Sequence, residues 1–134
     1  MPSFSEKSTF SLESAKLLVK NNYYSSTVNR SYYACFQYIM HVLFEKIKLD
    51  QAQFYIDVRN GRNGTHTWAS KLIVLELAKK PDKKDYKWLQ AQLPDFRELR
   101  ENADYFPAEM SQELGIESIS KAESIMRVLS QNFK

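Results

Sequence analysis

The stretch from Asp57 to Trp68, DVRNGRNGTHTW, brings Arg59 and Arg62 close to His66, one of two histidines in the chain. An imidazole that titrates near neutrality can give or take a proton, and a guanidinium fork can hold a phosphate. Together they meet the needs of metal-independent RNA cleavage. In that reaction a 2′-hydroxyl loses a proton to attack, the leaving oxygen gains one, and the charge growing on the phosphorane needs a cation. Arg59-Asn60 followed by His66 supplies those groups, with six residues between the arginine and the histidine. The same stretch holds two turn-forming Asn-Gly pairs, Asn60-Gly61 and Asn63-Gly64. Loops of this kind pre-organise side chains poorly. It therefore reads first as a turn that delivers Thr65 as the N-cap of a helix, with His66 in the first turn.

Other charged groups invite the same two-sided reading. Arg100 and Asp104 are four residues apart. On a helix they form a surface ion pair, or they present a fork to a phosphate. Arg30 stands early in a strongly apolar segment and needs a partner there, for which Asp104 or Glu101 is expected. His41, eleven residues further on, lies about 16 Å away along a helix and cannot act together with Arg30. Lys79, Lys80, Lys83, Lys84 and Lys87, interrupted by Asp82 and Asp85, read as a solvated basic turn. Tyr23, Tyr24, Tyr32, Tyr33 and Tyr38 could stack on bases, but packing is their commoner use. One cysteine and two histidines leave little for a zinc site, and Cys35 has no partner for an internal disulfide.

The elements that must position these groups are helical. Leu12, Ala15, Leu18 and Val19 give one face of a helix from about Ser11, its expected N-cap, to Asn21. The next segment, Ser26 to Leu49, carries Val28, Tyr32, Cys35, Phe36, Ile39, Leu43 and Ile47 on one face, with further apolar residues around it. Only Arg30, Gln37, His41, Glu45 and Lys48 make a polar stripe. Such a helix lies at the centre of a bundle or beneath a second subunit. Residues 50–64 read as a long connection, in which Phe54, Ile56 and Val58 alternate as in a short extended piece. Helices are expected from Thr65 to the turn at Pro81, from Asp82 to Tyr105, and from Ile116 to Asn132. Pro94 should kink the fourth of these or mark its true start.

The bulk numbers agree with one helical domain. The chain has 134 residues, 43% hydrophobic and 26% charged, with three glycines and a net charge of +3. That is enough apolar material for a core, too few turn formers for a many-stranded fold, and a mild excess of positive charge compatible with an RNA or nucleotide partner. The most apolar stretch is interrupted by Gln37 and His41, so no membrane span is expected. No signal-peptide layout opens the chain, and a cytoplasmic protein is expected.

Three patterns in order resemble the HEPN domain family. NRSYYACFQYIMHVL (Asn29 to Leu43) is similar to its aromatic-rich helix, GTHTWASKLI (Gly64 to Ile73) to the opening of the next, and LRENADY (Leu99 to Tyr105) to a later helix end. GIESISKAESIMRVL fits the last helix. The resemblance implies an all-α, up-and-down antiparallel bundle of four to five helices, 1–134 as one domain, commonly a homodimer. It implies binding of RNA or nucleotides, and a metal-independent ribonuclease in members of toxin–antitoxin-type pairs with a nucleotidyltransferase. It calls for no cofactor. On that reading His66 with Arg59 or Arg62 is catalytic, and Arg30, Arg100, Asp104 and Tyr105 bind phosphate or nucleotide. In active members an arginine, a polar residue and a histidine stand together on a helix. Here no histidine follows Arg100, and Tyr105, of a type with an ordinary pKa of about 10, is a poor base at neutral pH. The alternatives are a non-catalytic dimeric interaction module with a decayed ribonuclease motif, and a helical scaffold whose tyrosine-rich face meets another protein.

Overall fold

The computed structural model describes residues 1–61, 64–106 and 110–134, and among them all regular structure is helical. Six α-helices follow in order: α1 (Phe4–Lys20), α2 (Tyr24–His41), α3 (Gln51–Asn60), α4 (Thr65–Ala78), α5 (Lys84–Tyr105) and α6 (Gln112–Asn132). A short π-helical segment, Val42–Lys46, extends α2.

Helix α2 is central, packed against α1, α4, α5 and α6. Its contact with α1 is lined by small side chains. Ser8, Ser11 and Ala15 on α1 are buried, as are Thr27 and Ala34 on α2. Small residues let the backbones approach, and the polar ones find partners: Ser8 Oγ donates to the Ala34 carbonyl at 2.7 Å. Gln37, in the polar stripe of α2, also turns toward α1, where its side-chain amide lies within hydrogen-bond distance of Ser11 Oγ, at 2.7 Å. On the side of α6, Ser118 Oγ donates to the Gly115 carbonyl at 2.7 Å and lies 3.2 Å from Ser31 Oγ. The larger core side chains, among them Phe54, Phe96, Ile39, Ile73, Leu89 and Leu129, are less than 2% exposed.

Three expectations change. Helix α1 begins seven residues before Ser11, because Ser3 caps it by accepting from the Glu6 backbone N–H at 3.1 Å, with Glu6 three residues on as in a capping box. The connection 50–64 contains helix α3 rather than an extended piece, and this raises the helix count from four or five to six. Asp50 caps α3, Gln53 and Asp57 hydrogen-bond across one turn, and Phe54 is buried while Tyr55 and Ile56 stay exposed. Phe54 and Val58 are related by four as well as by two and two, so three apolar residues could not separate the periods. Thr65 is the first residue of α4 and Gly64 occupies the cap position.

Pro94 neither starts nor breaks α5, which runs through it from Lys84 to Tyr105. Its missing N–H leaves the Gln90 carbonyl without the usual helical partner. Gln90 and Pro94 are both exposed and line an open groove of about 890 Å³ between α4 and α5. At the far end of α2, Lys48 adopts a left-handed φ of 65°, and the Leu49 N–H returns to the Leu43 carbonyl at 2.9 Å to close the helix.

Candidate functional site

Three elements converge on His66. Helix α4 places it in its first turn. Helix α2 supplies Tyr32, Tyr33 and Phe36, and α5 supplies Arg97, Arg100 and Asp104, whose spacing of three and four puts them along one helix face. The His66 ring lies parallel to Phe36, with centroids 4.0 Å apart and planes 3° apart, and Tyr33 meets it edge-on at 5.5 Å. Tyr32 lies nearly parallel at 5.5 Å, and its hydroxyl stands 2.9 Å from His66 Nδ1. Tyr32 is itself fixed, 5% exposed and edge-on to Phe96.

Guanidinium groups surround these rings. Arg100 lies over Tyr32 and Arg30 over Tyr33, each 5.1 Å from the ring centre. Arg100 Nη1 is 3.2 Å from Asp104 Oδ2, and its buried Nε has no hydrogen-bond partner among the described residues. Arg97 pairs with Glu101 at 3.1 Å and hydrogen-bonds Thr67 Oγ1, next to His66 in sequence. Arg30, Arg97 and Arg100 against Glu101 and Asp104 leave one positive charge in excess, three less two. Burial lowers the His66 pKa below its ordinary 6.5, and Arg100 and Arg97 lower it further. Burial pushes the Tyr32 phenol up to about 12, against the pull of the two arginines. At neutral pH the site therefore holds a neutral imidazole, a protonated phenol and cationic forks.

The expected ion pair of Arg30 is replaced by a relay. Its Nε and Nη2 donate to Asn29 Oδ1 at 3.1 and 2.9 Å, and Asn29 Nδ2 donates to Asp104 Oδ1 at 3.1 Å. Arg100, one turn before Asp104 on the same helix, takes the direct contact. The structure thus joins Arg30, Arg100 and Asp104 in one network, with His66 linked to Arg100 through Tyr32. Arg59 is exposed in the last turn of α3, and among the described residues the arginines whose charge bears on His66 are Arg97 and Arg100. Arg62 lies outside the described residues. Tyr105, the last residue of α5, is 76% exposed. His41 stands apart from the cluster at the end of α2, and its Nδ1 is buried without a partner among the described residues.

No family model, curated protein or solved structure matches the chain. The function has to be read from the cluster itself. Its sequence signal was incomplete: Arg97 and Phe36 had not stood out as site residues, and Tyr32 had read as packing. The three-and-four spacing of Arg97, Arg100 and Asp104 was present, but nothing in the chain said which face of α5 would meet α4. Among the described residues no group of His, Cys, Asp and Glu is arranged to hold a metal ion, and no helix is long and apolar enough to cross a membrane.

The depressed histidines carry a consequence for stability. Burial lowers His41 as well, helped by Lys46 and opposed by Glu45. Both groups bind protons more readily in the unfolded chain, where they return to about 6.5. Their contribution is complete above that value and is lost as pH falls below it toward the folded-state pKa values. Urea denaturation midpoints at pH 7.5 and pH 5 should therefore drop at the lower pH. A midpoint that rises on acidification would contradict the burial of both rings.

Proposed function

We propose that this chain is a HEPN-type domain, an up-and-down antiparallel helical bundle, that binds RNA or nucleotide phosphate at the His66 cluster. The observation that carries this reading is the placement of His66, held by Tyr32 and Phe36, beside the forks of Arg97 and Arg100. Aromatic rings and guanidinium groups in one patch suit a single-stranded polyanion, since forks take phosphates and flat groups take bases. Binding of a fluorescent single-stranded RNA, followed by anisotropy at several salt concentrations, tests it. Affinity should fall with salt, with a log–log slope of roughly 0.7 for each phosphate neutralised. Affinity that ignores both salt and the loss of Arg100 would exclude the site.

The resemblance adds cleavage by His66 with Arg59 or Arg62 and a nucleotidyltransferase partner, as in toxin–antitoxin-type pairs. Cleavage is tested with purified protein free of divalent metal. Loss of cleavage on replacing His66 or Arg59 supports it, and RNA that survives intact favours the non-catalytic module. The engagement of Nδ1 by Tyr32 favours binding over catalysis by this ring.

The same reading makes the protein a homodimer. The groove between α4 and α5 offers a face for it: Val74, Leu75, Leu93 and Tyr86 line it, and Leu75 is 51% exposed. Leu75→Glu should turn a dimer into a monomer in light scattering, with helical circular dichroism unchanged. A wild-type chain that stays monomeric at high micromolar concentration would remove this assignment.

A further inference from the structure

We infer that Tyr32 is a positioning residue that holds His66 in the tautomer protonated at Nε2, so that the ring meets its ligand as a neutral hydrogen-bond donor. The inference deepens the phosphate-binding reading, on which the ligand's identity rests. The tautomer itself stands on geometry alone.

The 2.9 Å contact between the Tyr32 hydroxyl and Nδ1 admits two arrangements. In one, Nδ1–H donates to the phenol oxygen, and the phenol proton needs a second acceptor. In the other, the phenol donates to a bare Nδ1, and the imidazole proton sits on Nε2. The surroundings decide between them. Across from Tyr32 stand Arg100, over its ring, and Arg97, both of which only donate. The carboxylates nearest in the network are already engaged, Asp104 with Arg100 and Asn29, and Glu101 with Arg97. From α2, Tyr33 and Phe36 offer His66 only an edge and a face. Among the described residues the hydroxyl of Tyr32 has no hydrogen-bond partner other than Nδ1, so the phenol proton goes there.

The chemical result is specific. A neutral imidazole with its proton on Nε2 donates to a phosphate oxygen alongside the guanidinium forks without adding a further cation to a crowded patch. It cannot take a proton at Nε2. A general base at that nitrogen would first require the tautomer to exchange, the Tyr32 contact to reverse and the phenol proton to find another acceptor. The site is set to hold an anion through hydrogen bonds rather than to move a proton.

Nitrogen-15 NMR of the ring in the full chain, without ligand, reads the tautomer directly. We expect a pyridine-like Nδ1 and a pyrrole-like Nε2 for His66 at pH 7.5. A pyrrole-like Nδ1 overturns the inference whether or not RNA binds. Tyr32→Phe keeps the ring under Arg100 and removes only the hydroxyl. It should give averaged nitrogen shifts and a higher His66 titration midpoint, because a donor to the neutral form has been lost. An unchanged midpoint and tautomer in a folded Tyr32→Phe protein would also overturn it, since a merely structural tyrosine would alter stability and leave the ring nitrogens alone. If the tautomer is as expected and RNA does not bind, the ligand assignment fails and the positioning role of Tyr32 stands.

Discussion

Replacing Phe96 by alanine should destabilise the protein by about 3–5 kcal/mol, a large share of the roughly 5–15 kcal/mol that holds a domain of this kind together. Phe96 is fully buried, and its ring stands edge-on to Tyr32 at 5.5 Å. Removing it deletes apolar contact and leaves a cavity where α5 meets α2. The damage should not stay in the core. Phe96 is the neighbour of Arg97 and one turn from Arg100, and it braces the ring that holds His66. The His66 nitrogen signals should therefore broaden or shift along with the fall in stability. Urea denaturation gives the free energy, and Phe10→Ala, at a residue 59% exposed on α1, serves as the control that should change stability by no more than about 0.5 kcal/mol. A loss below about 1 kcal/mol for Phe96→Ala would mean that α5 is not packed as described.

Arg100→Ala should weaken binding of single-stranded RNA about ten- to hundred-fold, the range expected when a hydrogen bond to a charged group worth about 1.5–3 kcal/mol disappears. Two effects add. The fork over Tyr32 is lost, and Asp104, already held by Asn29, is left as a carboxylate without its cation beside the incoming phosphate. The salt slope should fall by roughly 0.7 if Arg100 neutralises one phosphate. Arg100→Lys retains the charge without the planar fork and should fall between the two. Arg59→Ala provides the contrast. Arg59 stands exposed at the end of α3, so it should matter to cleavage if the RNA is cut there and little to affinity at the Tyr32 cluster. Affinity unchanged by Arg100→Ala would move the binding site away from α5.

Much of the helical content was legible in the chain. Ile119, Ala122 and Leu129 repeat at helical spacing and are buried on α6, and Ala69, Ile73 and Leu77 do the same on α4. Periodicity of this kind is a local property, because it depends only on which residues share a face. It failed at α3, where Phe54, Ile56 and Val58 fit both periods and the capping by Asp50 decided the outcome. It also misplaced the start of α1, whose buried face is built from serine and alanine rather than from leucine, so the hydrophobic pattern was silent there.

The stretch DVRNGRNGTHTW shows the division most clearly. By itself the sequence determined that His66 would follow a glycine-containing connection and open a helix, and that arginines would lie within a few residues of it in the chain. It did not determine which arginine the imidazole would meet. That was decided by the packing of α4 and α5 against α2, which sets Arg97 and Arg100, more than thirty residues later, against the ring that holds His66. A helix face is a short-range consequence of residue order. The choice of which faces meet belongs to the whole core, since burying Tyr32, Phe96 and Ile73 together fixes the helices and leaves the polar residues between them no freedom to choose their neighbours.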